Sequence, residues 1–141
     1  MAQFAKFRSF HTTNANWFRD TFSQRICNDV INAEGIPQDL VDMQARLIKE
    51  ETKEFIEAVD NLYLDQSSEC KAELLKELAD LVFVCFQFAA AFNLDLDEAS
   101  RRVFDSNMSK LDVNGLPIFR EDGKVLKGPN YTEPTLTDLV Q

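Results

Sequence analysis

Histidine is nearly missing from this 141-residue chain: His11 is the only one, and it stands close to the N-terminal end. That absence removes several chemistries at once. A carboxylate-bridged di-iron bundle needs Glu-x-x-His pairs. A histidine-aspartate metal phosphohydrolase, a Ser-His-Asp triad and a His-rich zinc site fail for the same reason. No G-x-x-x-x-G-K-[ST] stretch occurs, so there is no P-loop. No apolar run approaches the roughly 18 residues of a membrane span, which predicts no membrane partner. The N-terminal MAQFAKFRSFHTT lacks the apolar run and small-residue cleavage site of a secretory signal. Cysteine is sparse, odd in number and unevenly spaced (Cys27, Cys70, Cys85), which fits reduced thiols in a cytoplasmic protein. Cys85 lies in an apolar run and reads as a small core residue.

Positive charge is also short. The net charge is −9, and residues 29–105 hold eighteen acids against seven Lys/Arg. Such a balance argues against stable binding to nucleic acid. Glycine and proline number four each, and three of each fall after residue 110 (Gly115, Gly123, Gly128; Pro117, Pro129, Pro134). The chain is therefore poor in breakers up to about residue 110 and rich in them beyond.

What remains is long helical periodicity. Residues 14–32 read as an amphipathic helix with Trp17, Phe18, Phe22, Ile26 and Val30 on its apolar side, ended by AEGIP. A second helix is expected from about Asp39 to Leu62, with Asp39 as a plausible N-cap. A third starts after DQSS and runs through Phe92; from Leu78 onward it is apolar nearly all round, the mark of a helix covered on several sides. Phe83, Phe86, Phe88 and Phe92 read as packing. A fourth, capped by Asp95 or Asp97, reaches about Met108. The tail carries Asn-Gly and Asp-Gly pairs that favour tight turns. The expectation is one all-α domain over residues 1–141: a four-helix-bundle-like body over 14–110, and an irregular arm or small hairpin over 111–141.

Two acidic clusters break the pattern. At about 100° per residue, Leu40, Met43, Leu47, Ala58 and Leu62 line one stripe of the second helix. Glu51 and Glu54 fall within it, Glu50 lies at its edge, and Glu57 and Asp60 point to solvent. On the third helix Glu77 and Asp80 are i, i+3 neighbours one turn before Val84. Burying unpaired carboxylates costs several kcal/mol or more. Compensation can come from Lys/Arg pairing, raised pKa values or divalent cations. Lys49, Lys53 and Lys76 are read as lying largely off these faces, which favours metal, and an all-oxygen cage suits Mg²⁺ or Mn²⁺. Either motif alone is ordinarily a solvated helix face; the pairing of two such clusters on consecutive helices is what favours a site. With histidine excluded, the chemistry that fits is hydrolysis of a phosphate ester or pyrophosphate.

E-E-x-x-E (Glu50, Glu51, Glu54) followed by E-x-x-D (Glu77, Asp80) resembles the all-α nucleoside triphosphate pyrophosphohydrolases. These include MazG-like proteins, dimeric dUTPases, dCTP pyrophosphatases and phosphoribosyl-ATP pyrophosphohydrolase. NLDLDEASRRVFDSNMSKL, continuing into NGLPIFREDGKVLKGPNY, resembles the compact single-domain members of phages and bacteria, and the two motifs together span about 45–131. The resemblance implies cleavage between the α- and β-phosphates of a (deoxy)nucleoside triphosphate, giving a monophosphate and pyrophosphate. A purine deoxynucleotide such as dGTP is the favoured example, and the setting is a bacterial or phage-infected cytoplasm. Glu51, Glu54, Glu77 and Asp80 would hold two or more Mg²⁺ or Mn²⁺ ions. Glu50, Glu51 and Glu54 form the expected catalytic set, with Glu50 holding a further ion or orienting water. Asn107 and Lys110 match the family's later N-x-x-K positions toward phosphate or sugar. Lys53, Arg120, Lys127 and Tyr131 are further candidates for phosphate contacts, and Trp17 for stacking on a base. Relatives assemble as dimers or tetramers, so a homo-oligomer, a tetramer built from dimers, is expected. The chain departs from the compact pattern before residue 40, where relatives form the base pocket, which disfavours phosphoribosyl-ATP as substrate. Two non-catalytic readings stand beside this one: a helical protein-binding adaptor, and an inactive nucleotide sensor. An adaptor has no reason to set Glu51 and Glu54 in an apolar stripe.

Overall fold

The computed structural model describes residues 38–140. The expected helix over 14–32, which carries Trp17, lies outside them, as does His11. Among the described residues the chain is all-helical: α1 (Gln38–Leu64), α2 (Ser68–Ala91) and α3 (Leu96–Met108), with a short 3₁₀ turn at Thr137–Leu139. They divide after Leu94 into two compact units.

The first unit is a helical hairpin. Its linker is only three residues long because Asp65 organises it. The Asp65 carboxylate accepts from the Ser67 amide at 2.9 Å and the Ser67 hydroxyl at 3.0 Å. Ser67 then caps α2, its hydroxyl accepting from the Cys70 amide at 3.3 Å. So short a connection forces α2 back antiparallel along α1. The Gln87 side-chain amide donates to the Gln44 carbonyl at 3.0 Å, tying the start of one helix to the end of the other.

The inward row of α1 steps every seven residues through Gln44, Glu51 and Ala58; that of α2 runs through Glu77, Val84 and Ala91. Gln44 is 2% exposed, and Ala58, Val84 and Ala91 are buried. The stripe expected on α1 is therefore rotated: Met43 is 36% exposed, and its neighbour Gln44 takes the inward place. A primary amide can do so because Gln87 satisfies its side-chain carbonyl oxygen. The far half of α2 is less covered than its composition predicts. Phe86 and Ala89 are buried, Phe88 packs edge-on against Phe92 at 4.7 Å, but Leu78, Val82 and Phe83 are exposed.

α2 closes with Asn93 in the left-handed region (φ 52°). The Leu94 amide returns to the Ala89 carbonyl at 2.9 Å and the Asn93 amide to that of Ala90 at 3.3 Å, the paired bonds of a Schellman motif.

The second unit starts at Asp95, whose carboxylate accepts from the Glu98 amide at 3.0 Å and caps α3. Of the two caps anticipated, Asp95 is the one used. The arm folds back along α3. Ser106 Oγ donates to the Thr132 carbonyl at 2.7 Å, the Thr132 amide donates to Ser109 Oγ at 2.9 Å, and the Gly128 amide donates to the Lys110 carbonyl at 2.9 Å. The expected small hairpin is minimal: one bridge between Phe119 and Val125 around a turn with Gly123 at φ 84°. Arg102 fastens the end of the arm, donating to both Asp138 oxygens (2.6 and 2.8 Å), to the Thr135 carbonyl (2.7 Å) and to Glu98 (2.8 Å).

Two expectations follow. A Cβ at Gly128 would stand 2.5 Å from the Lys110 carbonyl oxygen and 2.6 Å from that of Leu111, both backbone atoms with little room to give. Gly128→Ala should therefore cost about 1–3 kcal/mol in urea unfolding and speed amide exchange across 126–132. Glu98 is held down to about 2, first by its hydrogen bonds to Arg101 and Arg102. A depressed carboxylate contributes stability above its unfolded value and loses it on acidification. Wild type should therefore lose stability as pH falls from about 4.5 to about 2, and Glu98→Gln should flatten that part of the stability curve.

Candidate metal and catalytic site

The antiparallel register decides which acids meet. Each step up α1 is matched by a step down α2, so the Gln44–Gln87 bond sets Glu51 against Asp80 and Glu54 against Glu77. Glu51, Glu77 and Asp80 each offer a carboxylate oxygen, and these oxygens lie within 4.8 Å of one another; Glu54, expected within the apolar stripe and the same set, is instead exposed and outside this group. Glu77 is 5% exposed, Glu51 and Asp80 are half-buried, and Glu50 and Glu54 are exposed. The trio thus forms at the hairpin seam, with Glu54 near enough for its charge to act on Glu51.

The electrostatics follow from that crowding. Desolvation pushes the Glu51 carboxyl up, and the neighbouring charges of Glu54, Asp80 and Glu77 push it further. Lys76 works the other way. Its ammonium lies 2.6 Å from Glu77 Oε1 and 3.2 Å from Asp80 Oδ2. The Lys76 hydrogen bond, before any other cause, holds Glu77 below its ordinary value. Both contacts raise the Lys76 ammonium, the Glu77 bond first. The expectation that Lys76 lies off the acidic face is therefore wrong. A lysine one residue before Glu77 and four before Asp80 can bend its four-carbon stem to reach both. The i, i+4 spacing was the available signal. Lys53, by contrast, pairs outward with Glu57 at 3.6 Å.

Among the described residues one ammonium faces three carboxylates and does not balance them. Glu77 Oε2 is buried and has no hydrogen-bond partner among the described residues, an arrangement that ordinarily costs a few kcal/mol. An anionic, all-oxygen donor set with a buried, unsatisfied oxygen fits a hard divalent ion such as Mg²⁺ or Mn²⁺.

The other candidates are placed elsewhere in the chain. Asn107 is exposed and Lys110 half-buried, at and just past the end of α3. Arg120 is engaged by Asp122 two residues on, at 2.9 and 2.5 Å. Lys127 lies over the Tyr131 ring at 4.3 Å and near Glu133 at 3.7 Å. These arm residues are thus occupied by local partners.

Fold and site together define an all-helical protein with an oxygen-lined anionic site at a helix seam, the kind suited to hard cations and the phosphates that accompany them. The chain belongs to the phosphoribosyl-ATP pyrophosphohydrolase family, whose model matches residues 15–107. That family is of the MazG-like, all-α pyrophosphohydrolase type named by the resemblance. The match spans α1 and α2 entire and begins well before residue 40, so the departure read there does not take the chain outside the family. No curated protein matches it.

Because neighbouring acids and desolvation disfavour ionised Glu51, a neutral isostere should relieve the metal-free hairpin. A carboxyl with a raised folded value destabilises above its unfolded pKa and is neutral below it. Glu51→Gln should therefore raise the metal-free melting midpoint by roughly 1–2 °C at pH 7 and give no gain at pH 4, as read by circular dichroism.

Proposed function

We propose that this chain, acting as a single domain, is a metal-dependent (deoxy)nucleoside triphosphate pyrophosphohydrolase. It cleaves between the α- and β-phosphates to release a nucleoside monophosphate and pyrophosphate. The observation that carries the reading is the convergence of Glu51, Glu77 and Asp80 within 4.8 Å, on two helices covered by the family match. A protein-binding adaptor or an inactive sensor leaves that convergence without a cause.

Glu51, Glu77 and Asp80 would hold Mg²⁺ or Mn²⁺, with Glu54 nearby extending the set to a second ion. When bound there, a divalent ion supplies charge neutralisation of phosphate oxygens and activation of water. The chain's own residues do the rest. The hairpin seam fixes the three carboxylates relative to one another. Glu50 and Glu54, exposed beside them, can each accept a proton from an attacking water. Asn107, Lys110, Lys53, Lys127, Arg120 and Tyr131 are the candidate contacts to phosphate and sugar, and Trp17 to the base; for Arg120 and Lys127 such contact requires exchange of their present partners. A purine deoxynucleotide such as dGTP is the favoured substrate, in a cytoplasmic homo-oligomer, a dimer or tetramer. The exposed Leu78, Val82 and Phe83 on α2 support association.

The test is a product analysis over NTPs, dNTPs and phosphoribosyl-ATP with Mg²⁺ or Mn²⁺. Monophosphate and pyrophosphate should appear together from at least one triphosphate, and their absence from all of them would refute the reading. Asp80→Asn should lower kcat/KM at least about 100-fold, the scale of a lost charge-stabilising ligand; activity near wild type would remove Asp80 from the site.

A further inference from the structure

Lys76 stands in an unusual position for a surface lysine. Its ammonium binds Glu77 Oε1 and Asp80 Oδ2, two of the three carboxylates that converge at the seam. Glu77 is buried, and its other oxygen has no partner among the described residues. The Lys76 side chain itself is 57% exposed, so its stem can swing toward water without disturbing the core.

We infer that Lys76 is a resident counter-ion of the site: in the metal-free protein its ammonium takes the Glu77 and Asp80 carboxylates, and it is displaced when a divalent cation binds them. The inference rests on the metal reading above and assigns a role to a residue that reading does not use. The physical reason is competition. An ammonium and a divalent cation repel, and both are drawn to the same two carboxylates, so a cation at the seam weakens both Lys76 contacts. Without Lys76 the three carboxylates, one of them buried, would lose the ammonium that compensates them, and the hairpin would weaken. Lys76 thus stabilises the empty site and lowers its affinity for metal.

Lys76→Met keeps the stem and removes the charge. It should bind Mn²⁺ about tenfold more tightly by calorimetry, as expected when two partly exposed ion pairs no longer compete. Its metal-free melting midpoint should fall, and saturating Mn²⁺ should restore more of that loss than it adds to wild type. Lys76→Gln should shift affinity the same way, which keeps the test open if the methionine variant folds poorly. Lys76→Arg, retaining the charge, should stay near wild type. Lys71→Met makes the same net-charge change elsewhere on α2 and should leave affinity unchanged. Wild-type or weaker Mn²⁺ binding in both neutral Lys76 variants overturns the inference while leaving the metal reading standing. Mn²⁺ binding by wild type that survives Glu77→Gln undiminished, or no binding in wild type and Lys76→Met alike, overturns both.

Discussion

The register of α1 against α2 is the constraint on which the site depends. The three-residue turn organised by Asp65 and the Gln44–Gln87 hydrogen bond hold it at the two ends of the hairpin. Between those ends the inward rows carry Glu51 and Glu77 where apolar residues would pack better. A rotation of either helix by one residue, about 100°, would carry its acid toward solvent. The ends prevent it: Ala58 and Ala91 are small enough for close approach and are buried, and Val84 is buried between Glu77 and Ala91. The repulsion in the middle is thus contained by packing and amide pairing at either side. Strain held at a site by better-packed surroundings is how functional constellations usually persist.

That containment has consequences for charge. Desolvation and three neighbouring acids raise Glu51, whereas Lys76 lowers Glu77. The two carboxylates face each other across one seam, yet their environments push them in opposite directions. The seam therefore sets a carboxyl whose ionised form is favoured beside one whose ionised form is disfavoured. Family membership gives this asymmetry a setting, since a pyrophosphohydrolase must gather positive charge around a polyanionic substrate.

Much of the frame was legible in the sequence, because the breakers that end helices are strong local signals. DQSS, the Asp95 cap, and the Asn-Gly and Asp-Gly turns all act within a few residues, and the helices between them lie close to where periodicity put them. The pairing of Glu51 with Glu77 and Asp80 was legible too, since two acidic i, i+3 motifs on adjoining helices can meet only at the seam. Three features were not. The phase of the α1 stripe was misjudged because a hydrophobic pattern scores Met43 above Gln44, while the pairing of Gln44 with Gln87, 43 residues on, decides which is buried. Lys76 was assigned to a face by its Cα position, which ignores how far a lysine stem reaches. Arg102 meets Asp138 across 36 residues of arm, for which no local pattern exists.

Acid clusters in this chain come in two kinds, and their difference argues for function more strongly than either motif does. Glu98, Asp105 and Asp138 surround Arg101 and Arg102, whose forked guanidiniums donate to all three at 2.6–2.8 Å. Glu98 and Asp138 are both held below their ordinary values, first by those arginines. That cluster is satisfied within the chain and serves to fasten the arm. Among the described residues, the Glu51, Glu77, Asp80 cluster has one flexible ammonium, a raised carboxyl and a buried oxygen with no donor. Selection for stability alone would supply it with an arginine fork as well, since the chain uses that solution only twenty-odd residues further on. A seam short of positive charge, with a lysine that can move away, is the arrangement that the proposed cation site requires.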